Sequence, residues 1–325
     1  MQARQAFIAR TGGPEVIEWR EVEVPPPGPG EVTVVHSAVG LNFIDTYHRS
    51  GVYPVALPGG LGLEAAGTVA AVGEGVTGLR EGDRVATFGP QRDAYASARN
   101  VPAASLFALP DAVDERTAAA ALLKACTVEC LVERCARVEA GQTVLVHAAA
   151  GGVGLLLVQW LKHVGATVIG TVSTAEKAGA ATAAGADHVI RYDSEPVAPQ
   201  VRELTGGAGV PVVFDGIGMA TWEASLDSLA RRGLLVSYGN AGGPVSGVDL
   251  GILAAKGSLF VTRPTLFDYY ALPADRAAGI ARVWDMLGSG KLTVTIGQTY
   301  PLEAAAQAHA DLEARKTTGS TLLIP

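Results

Sequence analysis

The sequence predicts an α/β protein in which a doubly wound parallel sheet is inserted into a partly open β-barrel domain. From Gly141 onward, β-branched strand segments alternate with helix-favouring segments, and this alternation is typical of a parallel sheet covered by helices. Before that point, short β-branched runs are separated by Gly and Pro clusters, a pattern that indicates barrel strands. A chain of 325 residues is long enough for two such domains.

The elements follow in order along the chain. Barrel strands are predicted around residues 32–35, 68–72 and 83–87, a helix from Asp114, and a second helix over 127–137. The six sheet strands are predicted at 143–147, 167–171, 188–190, 210–214, 234–238 and 258–261, and the intervening helices begin near Gly152, Thr174, Pro196, Thr221 and Asp249.

After Pro264 the alternation stops. Helices over 274–287 and 302–315 and a final strand over 320–324 make a tail that is too short to be a domain. We expect this tail to complete the first domain, which then comprises 1–124 and 265–325, with the inserted domain at 125–264. The ligand is expected in the cleft between them.

The turn after the first sheet strand carries a phosphate-binding pattern. Ala149, Gly151 and Gly154 follow the spacing of the G-x-G-x-x-G fingerprint. A glycine at 151 lets the backbone approach phosphate oxygens, and the amino terminus of the next helix offers unpaired amides and a positive dipole end. Because the motif follows the first strand of the series, it predicts a Rossmann-type dinucleotide site.

The residues after the second sheet strand favour NADPH over NADH. An NAD site places Asp or Glu there to bind the ribose hydroxyl, whereas this chain has Ser173, followed one helical turn later by Lys177. A hydroxyl and an ammonium suit a 2′-phosphate, which a carboxylate would repel. Tyr192, after the third strand, is expected to bond or stack beside the adenosine.

Composition excludes several other classes of protein. The net charge is −7 with no basic stripe, so nucleic acid is not an expected partner. No apolar run reaches the length of a membrane span and no signal peptide is evident, so a cytoplasmic location is expected. Cys126, Cys130 and Cys135 lack metal-ligand spacing and are interpreted as reduced helix residues.

Four segments, residues 39–53, 60–67, 147–154 and 256–264, make the chain resemble a known family. It is similar to the bacterial NADPH:quinone oxidoreductases, in the zeta-crystallin branch of the medium-chain dehydrogenase/reductase superfamily, from Gly12 to Pro325. The resemblance implies a GroES-like catalytic domain around a Rossmann domain, a homodimer joined through the Rossmann sheets, and reduction of quinones by NADPH.

Zinc-dependent alcohol dehydrogenases of the same superfamily are the main rival. Their catalytic zinc needs a Cys where this chain has Asn42, and a Gly-His-Glu triplet where it has Gly62, Leu63 and Glu64. The four-cysteine structural loop is also missing near residues 90–110. The chain cannot supply a tetrahedral thiolate and imidazole set, so no metal site is predicted. Hydride transfer to a quinone needs less help, because its carbonyls are already electrophilic.

The resemblance also implies site residues. Asn42 and Tyr47 would help to hold the cofactor or the substrate, and the Tyr53 hydroxyl would donate to the developing oxyanion. The alternative is that Tyr47 and Tyr53 are packing residues whose hydroxyls are already bonded. Asp45 would contact the cofactor or only cap its helix. The remaining cofactor contacts implied are Lys124, Thr127, Gly151, Gly152, Val153, Ser173, Lys177, Tyr192, Gly216, Ile217, Tyr238, Gly239, Asn240, Phe260, Val261, Thr262 and Arg315.

Two alternatives stay open. The same scaffold and hydride geometry would serve a 2-alkenal or enone reductase. A different class is a non-catalytic NADPH-binding protein with a crystallin-like or RNA-binding role. The sequence does not identify the physiological quinone, decide between one-electron and two-electron reduction, or identify a proton donor.

Overall fold

The computed structural model describes all 325 residues, which form sixteen strands and ten α-helices. The strands are β1 (Gln2–Ile8), β2 (Glu18–Glu23), β3 (Glu31–Leu41), β4 (Gly59–Gly60), β5 (Glu64–Val72), β6 (Arg84–Phe88), β7 (Ala98–Pro102), β8 (Leu106–Ala108), β9 (Thr143–Val146), β10 (Thr167–Val172), β11 (His188–Arg191), β12 (Val210–Asp215), β13 (Leu229–Ser237), β14 (Phe260–Thr262), β15 (Ile296–Pro301) and β16 (Ser320–Ile324). The helices are α1 (Phe43–Ser50), α2 (Glu115–Glu129), α3 (Gly152–Val164), α4 (Ala175–Ala183), α5 (Val197–Leu204), α6 (Trp222–Ser228), α7 (Gly251–Ala255), α8 (Leu266–Tyr269), α9 (Pro273–Gly288) and α10 (Ala305–Glu313).

The chain folds as two compact units. The first comprises Met1–Leu123 and Val294–Pro325, and the second comprises Lys124–Thr293. The second unit is therefore inserted between two segments of the first. None of the helices is both long enough and apolar enough to cross a membrane.

The first unit is built on a seven-stranded sheet in which β15, β16, β3, β5, β6 and β8 follow one another and β7 also pairs with β3. A smaller sheet has the order β2-β1-β4. The tail contributes directly to this unit, because β16 runs antiparallel to β3 with Leu322 opposite Gly40. Buried side chains from both segments, including Ile8, Leu61 and Leu323, share one core.

The second unit is a six-stranded sheet, wholly parallel, with the order β11-β10-β9-β12-β13-β14. The order reverses direction at β9, so the carboxyl ends of β9 and β12 flank a switch point where ligands bind in such sheets. Leu145, Ile169 and Val213 pack with Trp222 and Leu226 of α6 in a continuous apolar core. The predicted fold class is confirmed.

The second domain boundary lies at Val294 rather than at residue 265. Helix α9 belongs to the second unit, where the Arg134 guanidinium donates to the Asp275 carbonyl at 3.0 Å. Tyr270, between α8 and α9, donates its hydroxyl to the Glu129 carboxylate at 2.9 Å. The strand–helix alternation ends at Pro264, but these polar contacts keep the following helices with the inserted unit.

The separate helix predicted over 127–137 is also corrected. Helix α2 continues without a break to Glu129 and passes directly into a π-helical segment, Cys130–Ala136, which ends at Arg137 in the left-handed conformation (φ 50°). No Gly or Pro lies between Glu115 and Ala136 to interrupt the helix.

Candidate active site

The turn between β9 and α3 has the geometry that the phosphate fingerprint requires. Gly151 is the N-cap of α3, with its amide donating to the Ala148 carbonyl at 3.0 Å. A Cβ atom at Gly154 would overlap the Ala148 carbonyl oxygen and lie 2.8 Å from the Ala149 carbonyl carbon. Only glycine therefore lets α3 begin this close to its strand, and the first amides of α3 have no acceptor within the helix. The turn fits a phosphate group.

The predicted adenosine side is assembled at the ends of β10 and β11. Ser173 follows β10 directly, and the Thr174 hydroxyl caps α4 by accepting the Lys177 amide at 3.2 Å. Tyr192 is 43% exposed, and its amide donates to the Val172 carbonyl at 3.1 Å. The structure thus brings Tyr192 beside the end of β10. In the turn from β10 to α4, no acidic side chain occurs before Glu176.

The loops after β12 and β13 are in backbone contact. The Tyr238 amide donates to the Asp215 carbonyl at 2.8 Å, and a Cβ at Gly216 would lie 2.9 Å from the Tyr238 ring. A larger residue at 216 would displace that ring. Arg263, which the sequence analysis did not select, donates to the carbonyls of Ser237 at 2.7 Å and Gly239 at 3.3 Å and thereby fixes the second loop.

The remaining predicted cofactor residues of the second unit lie elsewhere on it. Lys124 is buried on α2, and Thr127 lies one helical turn further along. Phe260, Val261 and Thr262 form β14, the edge strand of the sheet, where Phe260 is 60% exposed.

In the first unit, Asn42 is held by a buried carboxylate. Its Nδ2 donates to Glu64 Oε2 at 2.9 Å, and the other oxygen of Glu64 accepts the Leu123 amide at 2.6 Å. A Cβ at Gly40 would overlap Glu64 and the Ala119 carbonyl, so glycine makes room for the carboxylate. The sequence did not predict a role for Glu64, which entered the comparison with zinc enzymes only as the last residue of the triplet Gly62-Leu63-Glu64.

These positions do not form a zinc site. Asn42 and Leu63 stand where a thiolate and an imidazole ligand would be needed, and Glu64 is already engaged by two donors. No three His, Cys, Asp or Glu side chains are grouped so as to hold a metal ion. The donor set therefore does not fit catalytic zinc.

The other predicted residues of the first unit lie on α1, just after it, or after α10. Asp45 is buried and accepts the Asn42 amide at 2.9 Å, so it caps the helix. The Tyr53 amide donates to the Tyr47 carbonyl at 3.1 Å, and the two rings meet edge to face with centroids 5.1 Å apart. Arg315 lies on the tail just after α10, in the left-handed conformation (φ 59°).

A buried chain of hydrogen bonds positions α1 against α10. Arg49 forms an ion pair with Glu313 at 2.7 Å and donates to His309 Nδ1 at 3.2 Å. Burial, and then the Arg49 charge, lower the pKa of His309 to about 3, so its ring is neutral and its Nε2–H donates to Tyr95 at 2.9 Å. The Tyr95 hydroxyl donates in turn to Asp45 at 3.1 Å. These hydrogen bonds have no signature in the sequence, because Tyr95 and His309 are 214 residues apart.

Two family models match the chain. The Alcohol dehydrogenase GroES-like domain matches residues 28–111, and the Zinc-binding dehydrogenase model matches 152–267. The fold and the two matched domains define a medium-chain dehydrogenase/reductase. The second model's name refers to zinc, but no group of three or more His, Cys, Asp or Glu side chains in this chain could hold a metal ion.

Relatives with similar sequences specify the family. The Pseudomonas aeruginosa quinone oxidoreductase is 49% identical over 99% of this chain and 100% of its own length. A 2-haloacrylate reductase from a Burkholderia species is 43% identical, over 98% of each chain. The crystal structure of Escherichia coli quinone oxidoreductase complexed with NADPH superposes with a TM-score of 0.96 at 46% identity, covering 99% of this chain and 100% of that one. This chain belongs to the quinone oxidoreductase family.

Replacing Gly154 with Ala should weaken dinucleotide binding by about tenfold or more, because the new Cβ must displace the turn backbone. NADPH titration by fluorescence measures the affinity. The control is Gly179→Ala on α4, where a Cβ meets nothing within 4 Å. This change should leave affinity unaltered and stabilise the helix by about 0.5–1 kcal/mol. Equal affinities for the two variants would contradict the assigned role of the turn.

Proposed function

We propose that this chain reduces quinones with NADPH. The observation that carries the proposal is that Asn42 and Leu63 stand at the positions of two zinc ligands, and that the Asn42 amide is bonded to Glu64 instead, in a fold otherwise built for nicotinamide chemistry. Alcohol oxidation benefits from a Lewis acid that stabilises an alkoxide, whereas a quinone carbonyl accepts a hydride without one. Membership of the quinone oxidoreductase family supports the same acceptor.

NADPH, when bound, supplies the hydride. We propose that the amides of Gly151, Gly152 and Val153 bind the pyrophosphate, because the first turn of α3 offers them at a positive dipole end. Ser173, Lys177 and Tyr192 would bind the phosphorylated adenosine. The further proposed contacts are Lys124, Thr127, Gly216, Ile217, Tyr238, Gly239, Asn240, Phe260, Val261, Thr262 and Arg315.

We propose that Asn42, Tyr47 and Tyr53 serve the reaction itself. The bond from Asn42 to Glu64 fixes the orientation of its amide, and the edge-to-face contact fixes the two tyrosine rings against each other. A Tyr53 hydroxyl held in this way would donate to the oxygen on which negative charge develops. Asp45 caps α1 in the structure, and its contact with the cofactor stays a prediction.

A conjugated acid or enal is a second candidate substrate. The 43% identity with a 2-haloacrylate reductase over almost the whole chain supports it, since an activated double bond accepts a hydride from the same cofactor. Both acceptors would take a hydride from the same cofactor, and a substrate panel distinguishes them.

The purified protein should oxidise NADPH in the presence of 1,4-benzoquinone or 9,10-phenanthrenequinone, faster than with 2-alkenals or 2-haloacrylates. The loss of absorbance at 340 nm measures the rate. Activity should survive exhaustive chelation, and elemental analysis should find less than one zinc per chain. Turnover of the alkenals alone would favour the second candidate, and turnover of none would favour a binding protein.

In the same assay, Tyr53→Phe should lower kcat by about tenfold or more, because one donor to the developing oxyanion is lost. The matched control is Tyr300→Phe, which removes a hydroxyl that donates only to Asp311 at 3.0 Å. The control should retain its rate. An unchanged kcat for Tyr53→Phe would remove this residue from the proposed chemistry.

Lys177→Ala should reduce the preference for NADPH over NADH by about tenfold, because an ammonium no longer faces the 2′-phosphate. The ratio of kcat/KM for the two cofactors is the measurement. Lys291, a half-exposed lysine of the same unit, is paired with Asp285 at 3.6 Å, and Lys291→Ala serves as the control. If both variants keep the wild-type ratio, Lys177 is only a surface residue.

We also propose a homodimer joined through the Rossmann sheets. Strand β14 is an edge of the six-stranded sheet, and its Phe260 and Val261 are 60% and 38% exposed. An apolar edge strand of this kind is normally covered by another chain or protected from pairing. Sedimentation velocity should give about twice the chain mass of 33.3 kDa, and a mass equal to one chain at micromolar concentration would contradict the proposal.

A further inference from the structure

Four buried polar side chains connect the loops at the carboxyl edge of the second unit's sheet. His147 follows β9, Thr171 lies on β10, Asp215 ends β12 and Ser225 lies on α6. His147 Nδ1 is 3.0 Å from the Thr171 hydroxyl, and His147 Nε2 is 3.1 Å from the Ser225 hydroxyl. The Ser225 hydroxyl is 2.7 Å from Asp215 Oδ2. All four residues are at most 1% exposed.

The hydrogen bonds that join these four side chains can run in only one direction. Asp215 accepts the Ser225 proton, so the Ser225 oxygen must accept from His147 Nε2–H. Burial lowers the pKa of His147 more than the Asp215 charge raises it, so the ring is neutral. Its Nδ1 is then an acceptor and receives the Thr171 hydroxyl proton. Hydrogen bonds therefore run from Thr171 through His147 and Ser225 to Asp215.

Both ends of the chain also hold loop backbone. Asp215 Oδ1 accepts the amides of Ile217 at 2.7 Å and Gly218 at 3.0 Å, which fixes the loop after β12. At the other end, the Thr171 carbonyl accepts the Ala149 amide at 3.0 Å, inside the phosphate turn. The side-chain hydrogen bonds thus connect β10, the residue that opens the phosphate turn and the loop after β12. The backbone carbonyl of Thr171 adds a direct bond from β10 to the turn itself.

We propose that Thr171, His147, Ser225 and Asp215 are positioning residues that set the spacing of the three cofactor loops. This inference rests on the proposed NADPH-dependent function. Purely apolar side chains would fill the same volume without fixing the loop amides, whereas a fully satisfied buried hydrogen-bond chain specifies one arrangement. NADPH affinity should therefore depend on side chains that do not touch the cofactor.

The decisive variant is Ser225→Ala, which interrupts the chain at its centre with little change in volume. The dissociation constant for NADPH, titrated without quinone, should rise about tenfold, because His147 Nε2–H loses its acceptor and Asp215 loses one donor. At saturating NADPH, kcat should stay within about twofold of wild type, since positioning acts on binding.

The matched control is Ser228→Ala on the same helix. Ser228 is equally buried, but its hydroxyl donates only to the Ala224 carbonyl, at 2.6 Å. This variant should bind NADPH with wild-type affinity. If Ser225→Ala also binds like wild type while unfolding at a lower temperature, the chain is merely structural and the inference is overturned.

A second variant, Asp215→Asn, tests the direction of the hydrogen bonds. The Asn oxygen can still accept the two loop amides, while its NH₂ group donates to Ser225 and reverses the chain. Ser225 then donates to Nε2, and the His147 proton moves to Nδ1. Affinity should stay within about threefold of wild type, and the ¹⁵N shifts of the His147 ring should report the change from an Nε2–H to an Nδ1–H tautomer.

The outcomes separate this inference from the proposed function. Wild-type protein that fails to bind NADPH overturns both. Wild-type protein that binds NADPH, with an Nδ1–H tautomer of His147 or with the same tautomer in Asp215→Asn, overturns only the directional chain. The tautomer measurement on folded wild type and Asp215→Asn decides the direction of the hydrogen bonds even if Ser225→Ala does not fold.

Discussion

The close approach of α3 to its own strand is the constraint on which the nucleotide-binding unit depends. Gly154 lies against the Ala148 carbonyl, where no side chain fits, and this contact lets the start of α3 pack against the turn that follows β9. The unpaired amides of its first turn therefore point out from the carboxyl edge of the sheet. Because every strand is parallel, the loops after β10, β12 and β13 end at that same edge. The loops proposed to contact the phosphate, adenosine and nicotinamide are thus gathered by topology before any side chain contributes.

Each unit then uses a neutral histidine to couple separate elements. His309 receives a hydrogen bond from Arg49 and donates to Tyr95, and His147 receives one from Thr171 and donates to Ser225. Burial lowers the pKa of both rings, which therefore stay neutral and act as fixed hydrogen-bond couplers. Neither imidazole is suited to deliver a proton to a substrate, so a tyrosine hydroxyl or water is the more suitable source for a hydroquinone oxygen.

The replacement of a zinc-binding thiolate and imidazole by Asn42 and Leu63 shows how one fold supports different chemistry. Glu64 is fully buried and accepts hydrogen bonds from the Asn42 side chain and the Leu123 amide. Its carboxylate therefore holds these two groups in place. The fold by itself is compatible with alcohol oxidation, because alcohol dehydrogenases of the same superfamily share it. Function is decided by the few residues at the site, and here they suit an acceptor that is electrophilic without a metal.

The sequence by itself determined the two folds, the phosphate turn and the lack of an acid after β10, because these depend on local periodicity and on residue types at short spacing. It placed the second domain boundary at residue 265, whereas the contacts of Tyr270 and Arg134, each across 141 residues, keep the following helices with the second unit. It also divided near Thr127 a helix that continues to Glu129. It also could not find Glu64, Tyr95 or His309 as parts of the site, or the chain from Thr171 to Asp215. Hydrogen bonds between buried side chains distant in sequence have no periodic signature, so only the tertiary structure decided which of these polar residues meet.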